Sequence, residues 1–298
     1  LSMKRTVLQR AGILIALLML TTLNAWSADT LKPFLLVSIE AADFENTVDN
    51  TKNKLQAGGF TIAGEYAPFE GAHIIAVTSE ELQDVAAKSD FGGYGAIIRV
   101  AVTKNADKVE VSYSNPVYWA NAYLLADDLT AVADKMTSAM GSAEPFGSEK
   151  GLTVKKLRKY HYTAFMPYFD DPEKLGSADS HAAAVAKINE NLAAGKGGVS
   201  KVYEIKIPGK DETLIGVAIQ EGAAADKTIM EKIDVHGTRH TAHLPYEILV
   251  SCEKVYTLSG KFRIALSFPD LSMMGAGSFM EIMDAPPAIK DSLSALTK

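Results

Sequence analysis

The sequence predicts an α+β protein: two similar two-layer domains, each a largely antiparallel sheet with helices on one face. Three observations carry this. Residues 34–298 run twice through one order of elements, and an internal repeat decides architecture before any single motif does. Strands in both copies alternate apolar and polar residues, which suits a sheet covered on one side. Consecutive strands are joined by short turns, so hairpins are expected rather than parallel crossovers.

The first copy spans 34–140. Residues 34–40 (FLLVSIE) make an apolar strand. Asp43 caps a helix whose apolar face runs Phe44, Val48, Leu55, and Gly58-Gly59 stops it. Strands at 60–66 and 73–78 flank a turn with Pro68 and Gly71. Ser79 caps the next helix, with Glu81 in its first turn. Residues 96–103 (AIIRVAVT) form a long strand. Asn105-Ala106-Asp107 turns it into 108–114, which Asn115-Pro116 ends. Asp127 or Asp128 opens a last helix with Leu129, Val132, Met136 and Met140 on one side. Residues 141–151 (GSAEPFGSEKG) read as a linker with little that could pack.

The second copy spans 152–298. A strand at 160–169 ends at Asp170-Asp171-Pro172. Ser180 caps a helix with Val185, Ile188 and Leu192 on one face. Tyr203, Ile205 and Ile207 alternate in the next strand. A strand at 214–220 and a helix at 223–233 follow. Residues 246–256 read as one long strand. Leu258-Ser259-Gly260 turns it into 261–268, where Phe262, Ile264, Leu266 and Phe268 alternate. The last helix follows Pro286-Pro287, with Ile289, Leu293 and Leu296 on one face. Gly92-Gly93-Tyr94-Gly95 and Gly275-Ala276-Gly277 read as turns rather than phosphate loops.

Residues 1–28 have the parts of a secretory signal. Lys4, Arg5 and Arg10 are basic, residues 11–23 are apolar, and Ala25-Trp26-Ser27-Ala28 offers small residues for cleavage. The apolar run is shorter than the roughly 20 residues of a membrane span. A secreted or periplasmic location, with no membrane span after cleavage, is expected. The net charge of −6 gives no footprint for nucleic acid. Cys252 is the sole cysteine, so no internal disulfide forms. Its apolar neighbours predict a buried, inert thiol.

Val217-Ala218-Ile219-Gln220-Glu221, a helix, and then His243-Leu244-Pro245-Tyr246-Glu247-Ile248-Leu249-Val250 resemble the middle of the domain-of-unknown-function 302 family. Residues 108–116 (KVEVSYSNP) resemble that family's next strand, and the helix ending in Gly58-Gly59-Phe60 is also similar. The resemblance occurs once per copy. It implies a compact α+β domain, often paired in dimers, with no agreed biochemical role. The first copy has Gly93-Tyr94-Gly95 where the family has Leu-Pro, and the second has Phe268-Pro269 where it has Asn-Pro.

Two sets of residues could carry chemistry. His236, His240 and His243, with Met273 and Met274, could hold copper or zinc, because imidazoles and thioethers suit those ions. Hydrogen-bonding loop histidines and core methionines are the plainer reading. Tyr118, Trp119 and Tyr123 could line a small-molecule pocket or pack between the copies. No nucleophile motif or cofactor fingerprint stands out. The sequence therefore points to a non-catalytic binding or interaction module for a small ligand or protein, built as an internal pseudo-dimer and open to homo-oligomers. A periplasmic copper-binding protein is the alternative, and an uncharacterised enzyme comes third.

Overall fold

The structure is a computed structural model that describes residues 30–161 and 166–298. The expected signal lies outside the described residues. The first half contains β1 (Phe34–Glu40), α1 (Phe44–Ala57), β2 (Thr61–Tyr66), β3 (Ala72–Thr78), α2 (Glu80–Ala87), β4 (Ile98–Asn105), β5 (Lys108–Ser114), α3 (Pro116–Ala122), α4 (Thr130–Met140) and β6 (Glu144–Phe146). The second contains β7 (Glu173–Ser177), α5 (His181–Ala193), β8 (Val199–Lys206), β9 (Glu212–Ile219), α6 (Asp226–Ile233), β10 (Tyr246–Ser251), β11 (Lys254–Thr257), α7 (Gly260–Ser267) and α8 (Ala285–Ser294).

Local chemistry explains the helix starts. Asp43 accepts from the Asn46 amide at 2.9 Å, and Val48, Thr51 and Leu55 form the buried stripe of α1. Ser79, Asn115 and Ser180 cap α2, α3 and α5 in the same way. Gly58 ends α1 where a Cβ would stand 2.3 Å from the Ala139 Cβ, so the bare backbone lets α1 and α4 close up.

The first half forms a six-stranded sheet, β2-β3-β4-β5-β1-β6, and the second a five-stranded one, β8-β9-β10-β11-β7. Every pairing within these two sheets is antiparallel. Without β6 the two orders are the same. The ladder skips a residue between Ile62 and Gly64 in β2, and between Lys201 and Tyr203 in β8. These two edges abut. A Cβ on Gly64 would lie 2.0 Å from the Val202 carbonyl oxygen, so only glycine allows the approach. α1 packs on the first sheet and α5 on the second. Leu31–Lys298 pack as one unit with a continuous apolar core.

The structure corrects several sequence expectations. The expected long strand at 246–256 is broken at Cys252-Glu253 into β10 and β11. Residues 261–268 are not a strand but lie largely within α7. Their alternation misled because Arg263, Ala265 and Ser267 are buried as well. A helix buried nearly all round shows no clear period. The expected strand at 160–169 spans residues 162–165, which lie outside the described residues. Its described ends carry no strand; a short strand at Leu152–Thr153 and a helical turn at Val154–Leu157 come first, and β7 is the first strand of this half's large sheet. The expected linker contributes β6, which pairs with Phe34–Leu36 and sets Phe146 against Phe34 at 5.5 Å. Cys252 is exposed, in a turn with φ +52°.

Candidate functional site at the seam between the sheets

β4 and β10 bring their second residues, Arg99 and Glu247, to one point between the halves. Arg99 Nη1 donates to Glu247 Oε1 at 3.0 Å, and both side chains are at most 3% exposed. α3 and α7 bring their fourth residues, Trp119 and Arg263, to the same place. Arg263 Nη1 donates to Glu247 Oε2 at 2.7 Å. The Arg99 and Arg263 guanidiniums stand 4.8 and 5.5 Å from the Trp119 ring centroid, within cation–π range. Tyr203 also donates to Glu247 Oε1, at 3.0 Å.

Two guanidiniums face one carboxylate, so the cluster needs further acceptors. Backbone carbonyls supply them. Arg99 Nε donates to the Ala242 oxygen at 3.0 Å, and Arg263 Nη2 to the His243 and Pro245 oxygens at 2.7 and 3.2 Å. Tyr123 accepts from Arg263 Nη1 at 2.7 Å. Burial is the largest influence on Arg263 and opposes its charge, but Glu247, Tyr123 and Tyr246 together outweigh it and hold the guanidinium pKa above its ordinary value. A buried pair of this kind is weak evidence for net stability, yet breaking it leaves an uncompensated charge. The cluster is built as a lock between the halves, with its polar groups turned on one another.

The histidines and methionines do not present a shared ligand set. His243 is fully buried, with Nδ1 2.7 Å from Ser267 Oγ and Nε2 3.0 Å from the Tyr246 hydroxyl. Burial, with Arg263 and Arg99 nearby, pushes its pKa well below the usual imidazole range, so it is neutral. His240 Nδ1 lies 3.0 Å from Asp234, and its ring stacks on Phe268 at 4.7 Å. His236, Met273 and Met274 are exposed. Among the described residues, no group of three or more His, Cys, Asp or Glu could hold a metal ion. Tyr118, Trp119 and Tyr123 are buried. Tyr118 donates to the Leu266 oxygen at 2.9 Å, and Trp119 Nε1 to the Pro33 oxygen at 2.9 Å. Tyr118 and Tyr123 thus bind the second half.

Beside the lock, an open cleft of about 1010 Å³ lies between the halves. Glu212 forms its floor. It accepts from the Gly93 amide at 3.2 Å and the Ser251 hydroxyl at 3.3 Å, and pairs with Lys210 at 3.0 Å. Lys210 also donates to the Ser89 carbonyl. Phe91 and Phe169 add aromatic wall, while Arg158 and Asp170 bring opposite charges to the rim. A second cleft of about 320 Å³ is framed by Phe69, Thr103 and Lys104 of the first half and Asp234, Arg239 and Thr241 of the second. There Asp234 holds the His240 amide at 2.9 Å and Arg239 donates to the Asp234 carbonyl, so the loop turns on itself. The larger cleft offers polar and aromatic contacts to a small molecule.

Sequence reasoning missed Arg99, Glu247 and Arg263. The available signal was a lone charge inside an apolar strand: Arg99 in AIIRVAVT and Glu247 in YEILV. No known protein family, curated protein or solved structure matches the chain.

Proposed function

We propose that the protein is an exported, non-catalytic binding module built as an internal pseudo-dimer, with a small polar ligand held in the larger cleft. The matched positions carry the reading. Arg99 and Glu247 hold the same place in β4 and β10, and Trp119 and Arg263 the same place in α3 and α7. A pair of like domains meeting about a shared axis brings equivalent residues together in this way. The shared strand order and the paired skips in β2 and β8 agree with it, as does the resemblance to the domain-of-unknown-function 302 family. Apart from Arg263 Nε, which is buried without a partner, the lock's charged groups are taken up by each other and by backbone carbonyls, which leaves the cleft as the surface for a ligand. The secretory features of residues 1–28 support a periplasmic or secreted location.

A thermal-shift screen of small polar metabolites on the purified protein tests this. Compounds that raise Tm should lose their effect when Arg158→Glu and Asp170→Arg exchange the rim charges. Turnover of a bound compound, or stoichiometric copper in protein from its native compartment, would overturn the reading.

A further inference from the structure

Against α7 lies a third, smaller cavity of about 110 Å³. Lys261, Ile264, Ala265 and Phe268 form its floor, at the i, i+3, i+4, i+7 spacing of one helix face, and Leu271 and Phe279 close it from the following loop. Lys261 is the one charged residue among those that line it. Lys261 is exposed, and among the described residues no carboxylate pairs with it. Its neighbour Lys290 is already paired with Glu173 at 3.0 Å.

The cavity is therefore polarised along the helix. Lys261 sits at the amino end of α7, where the helix dipole also favours negative charge, and Ser259 makes no side-chain cap there. Phe268 lies seven residues further on, about 10 Å along the axis. Met273, about half exposed, also lines the cavity, and methionine adapts its shape to apolar ligands. At about 110 Å³ the cavity is smaller than the apolar cavity of about 150 Å³ that encloses benzene, so it seats only part of a slender tail and excludes a folded partner.

We propose that this cavity binds a small amphipathic monocarboxylate, its carboxylate on Lys261 and its alkyl or aromatic tail against Ile264, Phe268 and Phe279. The site is separate from the cleft between the halves and does not depend on the function assigned to that cleft.

Calorimetric titration with octanoate tests it, with octylamine as the opposite-charge probe. Octanoate should bind saturably at one site and octylamine at least tenfold more weakly. Lys261→Glu, at an exposed position, should weaken octanoate at least tenfold. Phe279→Ala should weaken it while leaving the preference over octylamine. The Arg158→Glu, Asp170→Arg protein should bind octanoate like wild type, which separates this site from the cleft. Absence of saturable octanoate binding, equal binding of the amine, or indifference to Lys261→Glu would each overturn the proposal.

Discussion

Asp226 is a buried carboxyl whose charge the fold controls. Its Oδ2 accepts from the Tyr66 hydroxyl at 2.9 Å and from the Ile219 amide at 3.3 Å, while Oδ1 is buried without a partner. Burial pushes its pKa up to about 7 from 3.8, and the two hydrogen bonds oppose that only in part. The folded state thus holds a proton that the unfolded chain has released. Stability from this group is complete below the unfolded value and falls as pH rises toward about 7, by about 1.4 kcal/mol per pH unit. Asp226→Asn should remove this slope. Urea unfolding of both proteins at about pH 5 and about pH 7.5 checks it, and equal slopes would refute it. At Cys252 the corrected position also has consequences. The thiol is exposed, so a thiol reagent should label the native protein quickly. Its φ of +52° is a region that favours glycine. Cys252→Gly should leave Tm unchanged or higher, and a clear fall would show that the side chain packs.

Among the elements, the edges of β2 and β8 depend on a missing side chain. Gly64→Val would drive a side chain into the Val202 carbonyl, with an expected loss of about 1–3 kcal/mol as for overpacking elsewhere. Chemical denaturation measures it, and a neutral result would mean that the edges separate at little cost. The contrast between α1 and α7 shows where sequence reading works. α1 has a capping Asp43, one apolar stripe and a Gly-Gly stop, each a local signal. α7 has a buried residue at all but one position, so its period is hidden. The break at Cys252 was hidden likewise, since no Gly, Pro or Asn marks that turn.

For the whole molecule, the Arg99–Glu247–Arg263 cluster should make the halves unfold together. Glu247→Ala strands two buried guanidiniums and should cost about 3–5 kcal/mol. Wild type should melt in one calorimetric transition. Two well-separated transitions would mean that the halves are independent and that the cluster is not a lock.

The α+β class and the capped starts of α1, α2 and α5 were legible in the chain, because caps, turns and strand alternation act over a few residues. The roles of Arg99, Glu247 and Arg263 were not, because a charge reads the same in sequence whether it meets water or another buried side chain. His236, His240 and His243 lie close in the chain, yet packing gave them different partners: solvent, Asp234 with Phe268, and Ser267 with Tyr246. Met273 and Met274 ended on the surface for the same reason. Which face of each sheet meets the other half depends on contacts between residues more than a hundred positions apart. Only the tertiary structure could decide those contacts, and with them the lock and the shapes of the cavities.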